Sequence, residues 1–233
     1  MSGMDDHELL NDVRRLRGEG ASPKDIARAL GLRPAAVAPL VREVAAERPP
    51  IAIGETRVVG CWVSPGWSNE LIVERREGWD DIDVGPGGPA GVAVVLVARA
   101  GRHDRVTACI YLVDTFCLGV KNVTGPLELR DRDLPALVRM HYAVFPWPAL
   151  RAPIELARHL VLGAVSFSAG LGCAPHPDFE AARGHLGELR EPCAITFGCK
   201  GRPLYFAGPH DDPIEVMETL INSVGSDGFA VAA

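Results

Sequence analysis

Five side chains suited to acid–base chemistry stand within or beside apolar stretches of this chain: Asp114, Lys121, His176, Asp178 and Asp211. A carboxylate that is withdrawn from water has a raised pKa, and a lysine or histidine beside it can complete a general acid–base pair. If the fold brings these five together in one cleft, they would suit a hydrolase acting on nucleic acid or a nucleotide. Their placement therefore decides whether such chemistry is available.

Asp114 lies in the apolar stretch TACIYLVDTFCLGVKNVTG, residues 107–125. Taken as one strand over residues 106–120, alternation places it among large hydrophobic side chains and on the face opposite Lys121. The two residues would be about 23 Å apart at about 3.3 Å per residue. The pattern favours Asp114 as the cap of a nearby helix or turn, with Lys121 at the strand exit. A functional carboxylate with a perturbed pKa is the alternative.

No metal ion or cofactor is predicted. Cys173 and His176 with Cys193 and Cys199 could be read as four zinc ligands, but CAITFGC reads as a strand that holds its two cysteines far apart. The glycine-rich VGPGGPAGVAV precedes a strand and lacks the Lys-Ser/Thr ending of a phosphate-binding loop. The cysteines are scattered through apolar runs, which is typical of free thiols in a reducing cytoplasm.

The first part of the chain reads as helices only. Ser22 is a good N-cap, Pro23 suits the first helical position, and Gly31 can close the helix in the left-handed conformation. A further helix follows, with Val37, Leu40, Val41 and Val44 on its core face. GASPKDIARALGLRPAAVAPLVREV resembles the helix-turn-helix segments of bacterial regulators and sigma-factor-like domains, which implies a three-helix module over residues 1–50.

Residues that could contact DNA phosphates are the basic side chains of this module: Arg14, Arg15, Arg17, Lys24, Arg33 and Arg42. The outward face of the third helix is rich in alanine, and only Arg42 on it is a strong ligand for DNA. Residues 1–50 hold eight basic and eight acidic side chains, so phosphate neutralisation by one copy is weak. A homodimer would present two modules. Alternatively, the alanine-rich face packs on the chain's own second domain or, through residues 33–48, on a protein partner.

Beyond a linker at residues 49–55, the sequence pattern changes from helical to one typical of strands rich in valine and isoleucine. Strands are expected in RVVGCWVS, ELIVERR, GVAVVLVAR and RVTACIYLVDTFCLGV, and in CAITFG and PLYFAG as a hairpin, with GFAVA last. Helices are expected over residues 131–144, 153–170 and 177–190 and in DPIEVMETLINSVG, and EGWDDIDVGPGGPAG as an exposed loop. This order predicts an α+β domain over residues 56–233, with a mostly antiparallel sheet packed with helices.

The formal net charge is −6, so no overall positive field attracts the chain to nucleic acid or to anionic membranes. The start of the chain does not look like a signal peptide, and the most apolar late stretch is too short to span a bilayer. A cytoplasmic location and no membrane partner are expected.

Three further stretches, LVDTFCLGVKNV, GAVSFSAGLGCAPHPDF and FGCKGRPLYFAGPHDD, resemble a group of uncharacterised bacterial proteins, some of which carry a C-terminal SEC-C zinc knuckle. The final NSVGSDGFAVAA has no cysteine, so the knuckle is not implied here. The resemblance names no reaction. It implies shared positions that either line a pocket or set turns and caps: Asp114, Cys117, Gly119, Lys121, His176, Asp178, Gly208 and Asp211.

The sequence as a whole favours a DNA-binding transcription regulator whose second domain provides sensing or dimerisation. A hydrolase built on the five acid–base residues and a protein-interaction module without catalysis are the alternatives.

Overall fold

The computed structural model describes residues 6–19, 21–46, 56–74, 76–85, 90–101 and 104–232. It begins with three helices, α1 (Asp6–Gly18), α2 (Pro23–Leu30) and α3 (Pro34–Ala46). Ser22 caps α2 by accepting a hydrogen bond from Asp25 N, and Gly31 ends it with φ 66°. These are the start and stop signals that the sequence predicts.

The three helices enclose a hydrophobic core of their own. Val13, Ile26, Val37, Val41 and Val44 are buried in it, and each is 3% exposed or less. Helix α3 therefore buries the face predicted from its apolar spacing. The predicted linker, residues 49–55, lies outside the described residues.

The second part of the chain is built on an antiparallel five-stranded sheet, as the predicted α+β class requires. The sheet has the order β5-β4-β3-β1-β6, and every neighbouring pair is antiparallel. Two small sheets pair β2 with β7 and β8 with β9. The strands are β1 (Val58–Val63), β2 (Ile72–Val73), β3 (Val92–Ala100), β4 (Arg105–Asp114), β5 (Gly119–Arg130), β6 (Leu150–Arg151), β7 (Ile195–Thr196), β8 (Leu204–Tyr205) and β9 (Ala230–Val231).

Four helices complete this part: α4 (Leu134–Tyr142), α5 (Ile154–Gly170), α6 (Phe179–Arg183) and α7 (Pro213–Val224). Helices α5 and α7 match their predicted ranges closely, and a short 3-10 turn over residues 131–133 precedes α4. The predicted helix over 177–190 is wrong beyond Arg183. Beyond that residue the chain forms tight turns, in which a backbone N–H donates to the carbonyl three residues earlier, as His185 N does to Ala182 O. Gly187 then takes a φ of 83°.

Both faces of the sheet are covered. One face packs β1, β3, β4 and β5 against α5 and α6, and Tyr111 is fully buried there with its hydroxyl donating to Ala182 O. The other face packs Leu96 and Ile110 under Leu134 and Tyr142 of α4. Strand β4 is apolar over nearly its whole length because alternate side chains enter the cores on the two faces of the sheet.

The single strand expected over residues 106–120 is wrong. Strand β4 stops at Asp114, residues 115–118 form a turn, and β5 returns alongside with Asp114 opposite Gly119. The turn forms because the Asp114 side chain accepts hydrogen bonds from the backbone N–H groups of the turn itself. Aspartate commonly competes with strand pairing in this way.

The hairpin expected around CKGR is also wrong. Cys199 and Arg202 form an isolated antiparallel bridge, but the strands on either side diverge: β7 pairs with β2, and β8 pairs in parallel with β9. Gly198 and Gly201 both take positive φ, which lets the tight turn close within a few residues. The turn does not require its flanking strands to pair with each other, and they join different sheets.

The described part of the loop predicted over residues 77–91 has no helix or strand, and Glu77, Asp80 and Asp83 are exposed as expected, but Asp81 and Trp79 anchor it to the rest of the domain. Residues 86–89 of it lie outside the described residues. The Asp81 carboxylate accepts hydrogen bonds from Gly66 N at 2.7 Å and Ser68 N at 2.8 Å, and Trp79 packs edge-on to Trp67.

A substitution at Gly119 should show how tightly the turn after β4 is packed. Gly119 has φ 67°, and an added Cβ would lie 2.4 Å from Ser168 Oγ and 3.0 Å from Ala164 O. Gly119→Ala should therefore lower the free energy of unfolding by more than the roughly 1 kcal/mol expected from the backbone conformation alone. Urea denaturation measures this decrease.

Gly31→Ala is the matched control, because φ is 66° there and nothing lies within 4 Å of the added Cβ. Adding Ser168→Ala to Gly119→Ala should recover part of the stability, since it removes the nearest clashing atom. Equal destabilisation by the two glycine variants would contradict the packing argument.

Candidate functional site

Asp114 is buried at the end of β4, with 7% of its surface exposed. Its Oδ1 accepts hydrogen bonds from Phe116 N and Cys117 N, both at 2.9 Å. Burial raises the pKa of this carboxyl, whereas the backbone donors and the charge of Lys121 act in the opposite direction. The structural role favoured from the sequence, capping a turn, is the one that the hydrogen bonds show.

Lys121 lies in an irregularity of β5. Leu112 pairs with Asn122 and Val113 with Val120, so Lys121 is skipped in the register. Its Nζ donates to Asp211 Oδ2 at 2.8 Å. The expected separation of about 23 Å from Asp114 is wrong, because the chain folds back at residues 115–118 and brings Lys121 within electrostatic range of Asp114.

The Asp211 cluster consists of Lys121, Tyr205, Gly208 and Asp211. Asp211 Oδ2 accepts hydrogen bonds from Lys121 Nζ and Gly208 N, both at 2.8 Å, and from the Tyr205 hydroxyl at 3.4 Å. A Cβ at position 208 would lie 2.6 Å from Lys121 Nζ and 3.0 Å from Asp211 Oδ2, so a larger residue there would force the lysine amine to shift. Sequence reasoning missed Tyr205, although the aromatic residue three positions before Gly208 was a usable signal.

A second group, the Arg17 cluster, joins the three-helix module to the α+β domain. It consists of Arg17, His176 and Asp178. The Arg17 and Asp178 side chains form an ion pair in which each is only 3% exposed. Arg17 also donates to Ala21 O at 2.8 Å and to Val123 O of β5 at 3.4 Å. Asp178 occupies the N-cap position of α6, but its side chain makes no capping hydrogen bond.

His176 connects this second group to the start of β5. Its backbone N–H donates to Val120 O at 2.8 Å, and its Nδ1 accepts from Asp178 N at 3.2 Å. Burial lowers the pKa of His176 to about 4, and the charges of Arg17 and Arg42 add to the effect. The ring is therefore neutral at physiological pH.

The structure thus brings all five acid–base candidates to the first residues of β5, but each is engaged in a structural contact. Asp114 holds a turn, Lys121 and Asp211 neutralise each other, and Asp178 neutralises Arg17. The nearby Cys117 thiol is a poor nucleophile, because burial raises its pKa to about 12. In the described part of the chain, no group of three or more His, Cys, Asp or Glu side chains could hold a metal ion.

The six predicted DNA-contacting residues differ in their exposure and in whether they already pair with another side chain. Lys24, Arg33 and Arg42 are exposed. Arg17 is buried against Asp178 and so is withdrawn from the phosphate set, and Arg15, 56% exposed, pairs with Asp12 and Glu19. Arg14 is half-buried and contacts Asn11.

The outer face of α3 is open at its N-terminal end. Ala35, Ala36 and Pro39 are exposed along with Arg33. The N-terminal end of the alanine-rich face therefore does not pack on the described part of the second domain, whereas Arg42, farther along α3, lies within electrostatic range of His176.

Searches against family models, curated proteins and solved structures each returned no match for this chain. The resemblances described from the sequence remain predictions. Among the described residues, no helix combines the length and apolar character needed to cross a bilayer.

Removing Arg17 should destabilise the contact between the two parts of the chain. Arg17→Ala leaves the Asp178 carboxylate buried without its partner, and breaking a buried pair in this way typically costs about 3–5 kcal/mol. Arg15→Ala is the control on the same helix, where removal of an exposed pair should cost about 0–1 kcal/mol. Urea denaturation with hydrogen exchange over residues 6–46 measures both; similar destabilisation by the two variants would refute the anchoring role of Arg17.

The buried histidines should make the fold sensitive to mild acid. The pKa values of His176 and His185 are both lowered to about 4 by burial, so the unfolded chain takes up protons first. The part of the stability that depends on these two histidines should be constant above about pH 6.5 and should fall as the pH drops from there towards 4. His176→Gln combined with His185→Gln should flatten the decline between pH 6.5 and 5, measured by thermal unfolding; an unchanged slope would contradict this origin.

Proposed function

We propose that the chain is a cytoplasmic DNA-binding regulator, in which the helix-turn-helix module binds duplex DNA. The observation that carries the proposal is the exposure of the N-terminal end of α3, residues 33–36, while the opposite face of the helix is buried in the module core. In helix-turn-helix proteins it is the N-terminal part of the second helix that contacts base edges in the major groove.

The residues at this end suit a close approach to DNA. Arg33 precedes the exposed alanines and Arg42 lies two turns after Ala35 on α3, while Lys24 is an exposed cation at the start of α2. Alanine side chains are short enough to let the helix enter the groove, and their methyl groups can contact the methyl group of thymine. Sequence selection by this face would rest on apolar contact and on Arg33 or Arg42.

The affinity of one module is expected to be low, because its basic and acidic residues are balanced in number. We therefore include a homodimer in the proposal, since two modules on neighbouring half-sites multiply a weak contact. The α+β domain would hold each module in place through the Arg17–Asp178 pair and would provide the dimer contact.

The other two hypotheses gain less support. The hydrolase requires acid–base groups that are free to exchange protons with a substrate, and the five candidates are bound to structural partners. The interaction module would use the same exposed face of α3, and the exposed arginines Arg33 and Arg42 at that face favour DNA as the partner.

The test is binding to short duplex DNA of mixed sequence, measured by fluorescence anisotropy at several salt concentrations. Arg33→Ala with Arg42→Ala should weaken binding and reduce the slope of log affinity against log salt by about 0.9 for each phosphate that is no longer neutralised. Both residues are exposed, so the double variant should keep the native unfolding transition.

The charge-matched control is Arg132→Ala with Arg190→Ala, which removes two exposed cations from the α+β domain. This control should leave both affinity and salt slope unchanged. Absence of salt-dependent binding by the native chain, or equal effects of the two double variants, would overturn the proposal. Stable capture of a protein through the α3 face in place of DNA would favour the interaction module.

A further inference from the structure

A cavity of about 370 Å³ lies beside α4, on the face of the sheet that the clusters at β5 do not use. Ligand-binding pockets in proteins typically measure about 300–1,000 Å³, so this cavity suits a small molecule. Its walls include Trp62 of β1, Tyr142 of α4, and Phe145 and Trp147 of the loop that follows α4. Four aromatic rings therefore border one opening.

The aromatic walls are held in place before any ligand arrives. The Tyr142 hydroxyl lies 2.8 Å from Trp62 O and 3.1 Å from Val94 O, which fixes the ring against the sheet. The Trp62 indole folds over Gly60, where an added Cβ would lie 2.2 Å from the ring. Both residues thus have little freedom to collapse into the cavity.

The loop wall is stiffened by its sequence, FPWP over residues 145–148. Each proline fixes its own φ and restricts the residue before it to an extended backbone, so Phe145 and Trp147 are both constrained. Phe145 N also donates to Tyr142 O at 3.0 Å, and the two rings pack with centroids 6.2 Å apart. A preformed wall of this kind reduces the entropy cost of binding.

Charge selects among possible ligands. Among the described residues that line the cavity, Arg139 is the only charged one, and no carboxylate faces it there. Arg139 is exposed and lies one turn before Tyr142 on α4, so its guanidinium stands at the rim of the aromatic opening. A planar guanidinium pairs with a carboxylate through two parallel hydrogen bonds.

We infer that this cavity binds a small aromatic carboxylate, with the ring between Trp62 and Trp147 and the carboxylate on Arg139. The inference rests on the proposed function only in identifying the α+β domain as the sensing part of a regulator. Binding to the cavity can be measured without DNA, so failure of one proposal is distinguishable from failure of the other.

The probes are 2-naphthoate and its neutral analogue 2-naphthamide, titrated into the full chain labelled with ¹⁵N. Naphthoate should shift the indole N–H signals of Trp62 and Trp147. The signals of Trp67 and Trp79 should stay in place, because these two rings pack together in the other core of the sheet. Naphthamide should bind the same site about ten-fold more weakly or worse, since it lacks the charge-assisted pair.

Arg139→Gln should abolish the preference for the acid and leave the affinity for the amide unchanged. Arg132→Gln, which removes an exposed arginine that does not line the cavity, should keep the preference. Both side chains are exposed, so neither variant should unfold the chain. Equal binding of acid and amide by the native chain, shifts confined to Trp67 and Trp79, or no shift at millimolar probe would each overturn the inference.

Discussion

The turn that Asp114 closes determines where β5 begins, and the contacts between the parts of the chain depend on that position. A carboxylate with two backbone donors ends β4, and the chain reverses within four residues to start β5 at Gly119. The first residues of β5 then supply Val120 O to His176 N and the Lys121 amine to Asp211. A longer strand would displace both contacts, because each added residue moves the chain by about 3.3 Å.

Strand β5 is also the place where the three-helix module meets the α+β domain. Arg17 reaches Val123 O and Asp178, so one side chain of α1 is committed to both the sheet and the start of α6. A buried arginine is costly unless its donors are satisfied, which makes the contact specific for one arrangement of the two parts. The same commitment removes Arg17 from the basic side chains that the DNA-binding proposal can use, whereas Lys24, Arg33 and Arg42 are exposed.

Local patterns predicted the elements better than the way they meet. Ser22, Gly31 and the apolar spacing of α3 act within a few residues, and the structure confirms what they predict. The partnership of Arg17 with Asp178 joins residues 161 positions apart, and no local pattern carries that information. The prediction of a strand over 106–120 was wrong for a different reason. Thr115, Phe116 and Cys117 are residue types that favour a strand, but the Asp114 side chain binds the backbone N–H groups that strand pairing would need. The motif positions Lys121, Gly208 and Asp211 do meet. Lys121 also lies within electrostatic range of Asp114, although parity along one strand predicted that these two residues would be far apart.

The proposed ligand cavity and the Arg17 anchor lie at opposite ends of one row of the sheet. Trp62 pairs with Leu96, Leu96 with Ile110, and Ile110 with Thr124, the neighbour of Val123. The row crosses three strand spacings, about 14 Å at about 4.8 Å each. Contact along a row does not by itself transmit a signal, because transmission needs an element with two stable arrangements. A sheet that is close-packed on both faces resists deformation. The two proposed activities, DNA binding and cavity binding, are therefore expected to be separable, and to be coupled only if a ligand moves α4 itself.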